Sequence, residues 1–96
     1  MSTRAQLDSW IRTLAELGPR QREVLDVLMH GGKMGATQIA DRVGKHVYVV
    51  RPRITELAKM GVIHEAGERW EPRTQRHEAV WMVTPHDNDG QMRMAI

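Results

Sequence analysis

The sequence predicts a single domain that is mainly α-helical and ends in a small β-hairpin. Two observations lead to this prediction. Before Gly61, apolar residues recur at spacings of three and four, which is typical of amphipathic helices. After Gly61 the hydrophobic period becomes two and β-branched residues are frequent, as in paired strands. The chain has 96 residues, which is enough for one hydrophobic core and too few for two.

The first predicted helix begins near Arg4, because Thr3 and Gln6 have the spacing of a capping box. Gly18 is a natural residue to end it. Its apolar stripe consists of Leu7, Trp10, Ile11, Leu14 and Leu17. A single helix of this length is only marginally stable in water, so the stripe must be buried against something. We expect these five residues to form a homodimer interface; the alternative is that the helix folds back on its own domain.

Two further helices are predicted next. Pro19 suits the first position of the second helix, and a pair of glycines ends it. Its inward-facing residues would be Val24, Leu25 and Leu28. Gly35 can cap the third helix with Gln38 at the third position, and Gly44 provides the turn that follows. The inward-facing residues of this helix would be Ile39, Ala40 and Val43.

The fourth predicted helix has one apolar face and one polar, basic face. Its apolar positions step by three, four and three, at Val47, Val50, Ile54 and Leu57. The other face begins with the long donors Lys45, His46, Tyr48, Arg51 and Arg53. Pro52 lies within this pattern, where a proline removes a backbone donor and clashes with the carbonyl four residues earlier. The helix is therefore expected either to begin later than the pattern suggests or to be kinked.

Beyond Gly61, residues 62–66 and 79–84 are predicted to form two paired strands. The segment between them is polar, with Arg73 and Arg76 near its tip. Trp81 alternates with its strand neighbours and is assigned to packing, whereas core packing and base stacking stay open alternatives for Trp70. Residues 86–96 are expected to form a tail.

The stretch ATQIADRVG, followed by VYVVRPRITELAKMGVI, resembles the winged helix-turn-helix family of small bacterial and phage transcriptional regulators. The resemblance covers residues 19–85, which makes residues 1–18 an N-terminal addition. It implies a winged helix-turn-helix fold with an extra N-terminal helix. It also implies sequence-specific binding of double-stranded DNA, with a recognition helix in the major groove and a β-hairpin wing on the adjacent backbone.

Candidate DNA-binding residues follow from this resemblance and from the polar face of the fourth helix. Arg51 points closest to the outward face and is the better candidate for a guanine edge. Arg53 lies nearer the core and suits a phosphate or an acidic partner. Tyr48 suits a thymine methyl group or a phosphate. Contacts to the DNA backbone or to base edges are expected from Lys45, His46 and Thr55, and contacts by the wing from Arg73 and Arg76.

The charge distribution agrees with a nucleic-acid partner. The net charge is only +2, but residues 45–60 carry four basic residues and one acidic residue, an excess of +3 that suits phosphate contacts. The rival hypothesis is a protein–protein interaction module, an adaptor or inhibitor on a winged-helix scaffold. It gains support from residues 65–78, where four glutamates outnumber three arginines and weaken the attraction to phosphate.

Other chemistries find little support in the sequence. The chain contains no cysteine, which excludes disulfides, thiolate metal ligands and a cysteine nucleophile. Its five histidines are scattered, so no metal site is expected. The glycines at 31 and 32 lack the spacing of a phosphate-binding loop, and no carboxylate has the apolar surroundings that acid–base catalysis needs. We therefore expect no enzyme activity, cofactor or small-molecule ligand. Without a membrane-length apolar run or a secretory signal, a cytoplasmic protein is expected.

Overall fold

The computed structural model describes the backbone of residues 3–85 and the side chains of residues 8–85. Along this part of the chain the elements are α1 Thr3–Ala15, α2 Pro19–Gly31, β1 Met34–Gly35, α3 Ala36–Val43, α4 Val47–Lys59, β2 Ile63–Glu71 and β3 Arg76–Val83. The chain divides into two compact units, one of them residues 19–84 and the other including α1. The predicted mainly α fold with a β-hairpin is confirmed. The predicted tail, residues 86–96, and the side chain of Leu7 lie outside the described residues.

The predicted apolar stripes of α2, α3 and α4 form the core of residues 19–84. The most deeply buried helical side chains are Val24, Leu25, Leu28, Ile39, Val50 and Leu57. Because the stripe residues recur at spacings of three and four, the helical period alone places them on one face of each helix. Burying each Leu or Ile contributes roughly 1.5–3 kcal/mol, so this cluster holds the three helices together.

A glycine in the left-handed conformation allows the turn between α3 and α4 to be short. Gly44 has a φ of 80° and donates its N–H to the Ala40 carbonyl at 2.8 Å. Glycine adopts this left-handed conformation without the steric cost of a Cβ. At the other end of α3, the Gln38 side chain accepts the Gly35 N–H at 3.1 Å, as its sequence position predicts. Residues 44–46 are therefore sufficient to connect the two helices.

Helix α4 runs continuously through Pro52. It begins at Val47, where the Nδ1 of His46 caps it by accepting the Tyr48 N–H at 3.1 Å. The expectation that the helix begins later is therefore wrong. A proline at this position cannot donate to the Tyr48 carbonyl, which lies one turn earlier. Both residues are exposed, so water can supply the missing donor, and this explains why the helix tolerates the proline.

The three strands form an antiparallel sheet in the order β1-β3-β2. On β3, Trp81 pairs with Met34 on one side and with Glu65 on the other. The sheet packs against the helical core through three buried side chains, Val62, Ile63 and Val80. The described residues contain no helix with the length and apolar character of a membrane span.

The sheet is larger than the sequence indicates. The β2–β3 pairing continues to Glu71 and Arg76, through residues predicted to form a polar loop. That prediction is wrong because most side chains of this part of the ribbon are exposed, and its buried Glu71 is paired with arginines, so no apolar alternation is needed there. The register shifts between Glu65 and Glu68, near Gly67 with its φ of 115°. Strand β1 was not predicted, since two residues are too few to show any period.

Candidate functional site

A groove of about 820 Å³ separates the first half of α4 from the β2–β3 hairpin. This hairpin, residues 63–83, is called the wing below. One wall of the groove comes from α4 and its cap, namely His46, Val47, Tyr48, Arg51, Ile54 and Thr55. The opposite wall consists of Thr74, Arg76, His77, Glu78, Ala79 and Trp81, and the remaining lining is Ala36 and Thr37 of α3. We refer to it as the α4–wing groove.

The α4 wall carries exposed donors in a fixed arrangement. Tyr48 is 72% exposed, and its ring stacks on that of His46 with the centroids 4.7 Å apart. Because His46 accepts the Tyr48 N–H through Nδ1, the proton of the neutral imidazole lies on Nε2, which can donate to a ligand. Thr55 donates to the carbonyl of Arg51 at 3.2 Å. Arg51 is exposed and forms no ion pair with any described residue.

The wing wall presents a second cation. Arg76 begins β3 and is exposed; among residues 8–85 it has no ion-pair partner. Next to it, His77 meets the edge of Trp70 with the ring centroids 5.2 Å apart. The groove therefore has an arginine available to a ligand on each wall, Arg51 on α4 and Arg76 on the wing.

Beside the groove, a partly buried ion-pair network connects the wing to α3. Its members are Thr37, Asp41, Arg69, Glu71, Arg73 and Glu78. At its centre, Nη1 of Arg69 donates to Glu71 at 2.6 Å and to Glu78 at 2.7 Å. The Thr37 hydroxyl oxygen lies 2.8 Å from the first of these carboxylates and 2.6 Å from the second. Although Glu71 is only 2% exposed, its charge is thus compensated by direct hydrogen bonds.

Arg73 extends this network to the outer face of α3. Its Nε and its backbone N–H donate to Glu71 at 3.0 Å and 2.9 Å. Its two Nη atoms donate to the two carboxylate oxygens of Asp41, at 3.2 Å and 2.9 Å. Hydrogen bonds from Arg69, and then from Arg73, hold the pKa of Glu71 far below its usual range. Asp41 and Glu71 in turn raise the pKa of Arg73. The guanidinium of Arg73 is therefore occupied by intramolecular partners.

Gly35 makes room for one carboxylate of the network. A Cβ built on Gly35 would fall 2.7 Å from Cδ of Glu78, closer than real side-chain contacts allow. The Glu78 side chain passes over this glycine to reach Thr37 and Arg69. Gly35 therefore leaves space for the Glu78 side chain and is also the predicted cap of α3.

The candidate DNA-binding residues divide into two groups. The α4–wing groove brings together His46, Tyr48, Arg51, Thr55 and Arg76. The others lie outside it: Arg73 belongs to the network, Lys45 is 3.9 Å from Glu23, and Arg53 donates to Glu56 at 2.9 Å. For the proposed dimer interface on α1, Ile11 is 54% exposed, while Trp10, Leu14 and Leu17 are half-buried.

Several residues of the site could not be found from the sequence. His77 lines the groove because β3 begins earlier than predicted, Thr74 lines it from the turn before β3, and the register of β3 places Trp81 there. Thr37, Glu71 and Glu78 meet only through tertiary packing. The one usable signal was the alternation of Trp81, which indicates a strand face and does not say which face. In the part of the chain that the structure describes, no group of histidines and carboxylates could hold a metal ion.

Comparison with known proteins gives a family and a fold. A family model described as HVO_A0114 matches residues 11–76. No curated protein matches the sequence. Among solved structures, the Zalpha domain of Carassius auratus PKZ in complex with Z-DNA is 20% identical, with a TM-score of 0.53, covering 68% of this chain and 92% of that domain.

Two MarR family proteins are also similar. The transcription regulator SP03579 is 20% identical with a TM-score of 0.58, covering 97% of this chain and 63% of that protein. NMB1585, a regulator from Neisseria meningitidis, is 18% identical with a TM-score of 0.58, covering 93% of this chain and 61% of that protein. The chain thus spans less than two thirds of either regulator. At these identities the similarity establishes the fold, which is a winged helix with four helices and a three-stranded antiparallel sheet.

Proposed function

The chain belongs to the HVO_A0114 family, and we propose that it is a sequence-specific, double-stranded DNA-binding transcriptional regulator. The observation that carries this proposal is the α4–wing groove, where five of the eight candidate DNA-binding residues line one surface. The similar solved structures support it, because one is a complex with Z-DNA and others are transcription regulators.

In the proposed complex, the first half of α4 enters the major groove. The groove of B-form DNA is about 12 Å wide and admits one helix with its side chains. Arg51 would donate to a guanine edge, and Tyr48 would contact a thymine methyl group or a phosphate. Nε2 of His46 would donate to a base edge or the backbone, and the Thr55 hydroxyl, whose proton is donated to the Arg51 carbonyl, would accept from a base-edge amino group.

The wing would rest on the DNA backbone through Arg76. A long side chain on an exposed hairpin reaches phosphate readily, and such contacts position the protein without reading sequence. The occupied guanidinium of Arg73 supports a different role for that residue. We infer that Arg73 fixes the wing relative to α3, so that Arg76 is held at the correct distance from α4.

Salt-dependent binding to short duplexes tests the proposal. Affinity for a B-form duplex should fall log-linearly with salt concentration, because cations of the protein release counterions from the phosphates. Selection from random duplexes should enrich one sequence, and Arg51→Gln should relax its preference at one base pair. A Z-form duplex serves as a second probe, since one of the structural neighbours binds that form. Binding to neither form would refute the proposal.

A protein–protein interaction module remains the alternative function. It is favoured by one observation: two of the three arginines of the wing are paired with the protein's own carboxylates, which leaves the wing little attraction for phosphate. A winged-helix adaptor would bind no duplex, and its association with a protein partner would depend only weakly on salt.

We also propose that the regulator acts as a homodimer formed through α1. A single small module reads few base pairs, and two-fold pairing doubles the contacts. The 54% exposure of Ile11 on the apolar stripe supports this interface. Ile11→Asp should convert a dimer to a monomer in sedimentation experiments, whereas Ser9→Asp, on the opposite face of α1, should not. A wild-type protein that sediments as a monomer at micromolar concentration would refute dimerisation.

A further inference from the structure

A second cationic depression lies between α4 and α2. Its walls carry Arg20 from the first turn of α2, Lys45 from the α3–α4 turn, and Arg53 from α4. The rest of its lining is Glu23, Val24, Val43, Val49 and Val50. We refer to it as the α2–α4 cleft. Arg51 and Arg53 are two positions apart, about 200° around a helix with 3.6 residues per turn. The cleft and the α4–wing groove therefore flank α4 on different faces.

The internal pairing of Arg53 is incomplete. Nη2 of Arg53 donates to Glu56 at 2.9 Å, but Nε is buried and has no hydrogen-bond partner among the described residues. A buried donor without an acceptor costs free energy. Turning the guanidinium outward would expose Nε and let it donate, with one Nη, two parallel hydrogen bonds to an oxyanion. Glu56 would still accept from Gln21, whose Nε2 lies 2.9 Å away.

The other two cations of the cleft are also free to turn toward a ligand. Nζ of Lys45 is 3.9 Å from Glu23, and both side chains are more than one third exposed, so this pair contributes little. Arg20 is exposed, and within residues 8–85 it forms no ion pair. Three cations from three segments thus converge on one flank of α4, and of these Arg53 alone has a close ion-pair partner among the described residues.

We propose that the α2–α4 cleft binds a backbone phosphate of duplex DNA, on the strand opposite to the one that the wing contacts. This inference rests on the proposed function. A helix in the major groove fills its width and has a phosphate backbone on either side. Arg76 would contact the phosphate backbone on the wing side of α4, and the backbone on the other side would be contacted by Arg20, Lys45 and Arg53. Phosphate contacts on both sides together fix the position and the tilt of α4 in the major groove of the DNA.

Matched glutamine variants of the full chain test this site. Arg53→Gln keeps a donor for Glu56 and removes the charge, and Arg20→Gln and Lys45→Gln extend the series. Lys33→Gln is the control, because Lys33 is an exposed cation outside α4 that lines neither the groove nor the cleft. Circular dichroism verifies folding, and fluorescence anisotropy with a B-form duplex gives affinity against potassium chloride concentration. Each cation that contacts a phosphate should lower the salt slope by about 0.9 when it is removed, and Lys33→Gln should leave the slope unchanged.

A second measurement identifies the source of the phosphate. The Nε–H resonance of Arg53, observed by nitrogen-15 NMR, should shift when duplex DNA is added and stay in place when inorganic phosphate is added at the same ionic strength. An equal shift with inorganic phosphate would overturn the assignment to the DNA backbone. If the wild-type chain binds duplex and Arg53→Gln has the same slope as the Lys33→Gln control, the cleft site alone would be overturned. A wild-type chain that binds no duplex would overturn the proposed function together with this inference.

Discussion

Replacing Arg76 and Arg73 by glutamine, one at a time, tests two different roles. Arg76 is proposed to contact a DNA phosphate, and Arg73 is proposed to fix the wing relative to α3. Both residues are exposed arginines of the wing and lie three positions apart. Arg76 has no ion-pair partner among the described residues, whereas Arg73 donates to both Glu71 and Asp41. A change to glutamine removes one positive charge from either position and preserves a polar side chain.

The expected magnitudes follow from the partners of each residue. If Arg76 contacts one phosphate, Arg76→Gln lowers the slope of log affinity against log salt by about 0.9. Over a fourfold rise in salt concentration, this variant should therefore lose about 3.5-fold less affinity than the wild-type protein. Arg73→Gln should keep the wild-type slope, because its charge is already compensated inside the protein. Its affinity should instead fall by the same factor at every salt concentration, since the wing is held less firmly.

Fluorescence anisotropy on one B-form duplex measures both effects, with circular dichroism to verify that each variant is folded. Asp41→Asn provides a further control, because it removes a partner of Arg73 without touching the wing itself. If Arg73 supports the wing, Asp41→Asn weakens binding. If Arg73 is a phosphate contact that Asp41 restrains, the change strengthens binding. A slope reduction in Arg73→Gln equal to that in Arg76→Gln would refute the reasoning.

Three further predictions concern the elements that position the site. Pro52→Ala should raise the free energy of unfolding by roughly 2 kcal/mol, because a proline inside a helix costs about 3 kcal/mol and its restriction of the unfolded chain offsets up to about 1 kcal/mol. Urea denaturation measures this change, and an unchanged or lower stability would contradict the prediction. Gly35→Ala should lower the melting temperature, because the added Cβ displaces Glu78 from Arg69; an unchanged melting temperature would show that the carboxylate moves aside at no cost. In the folded protein the pKa of Glu71 lies below its ordinary value of 4.5, so the ionised carboxylate stabilises the fold above pH 4.5 and this stabilisation is lost as the pH falls further. Glu71→Gln should flatten the dependence of the free energy of unfolding on pH in that range. Parallel pH curves for the wild-type protein and the variant would argue against the network.

Local sequence patterns predicted the helices and the exposed face of α4. Val50, Ile54 and Leu57 recur at the helical period, and all three are buried. The same period places Tyr48, Arg51 and Thr55 together on the opposite side, where they line the groove. These predictions succeed because the geometry of a helix depends only on neighbouring residues, so the order of residues is sufficient to define its faces.

Only the tertiary structure decided how the wing is held and which arginines stay available. Arg69, Glu71 and Glu78 lie side by side because of the β2–β3 register, and they reach Thr37 because α3 packs against the sheet. Arg73 finds Asp41, which is 32 positions away in the chain. Ion pairs of this kind depend on the register between strands and on the packing of elements distant in sequence, and a count of charges contains neither. The sequence by itself therefore identified a basic helix and a wing with three arginines, and the long-range packing determined that Arg69 and Arg73 are paired internally while Arg51 and Arg76 face the groove.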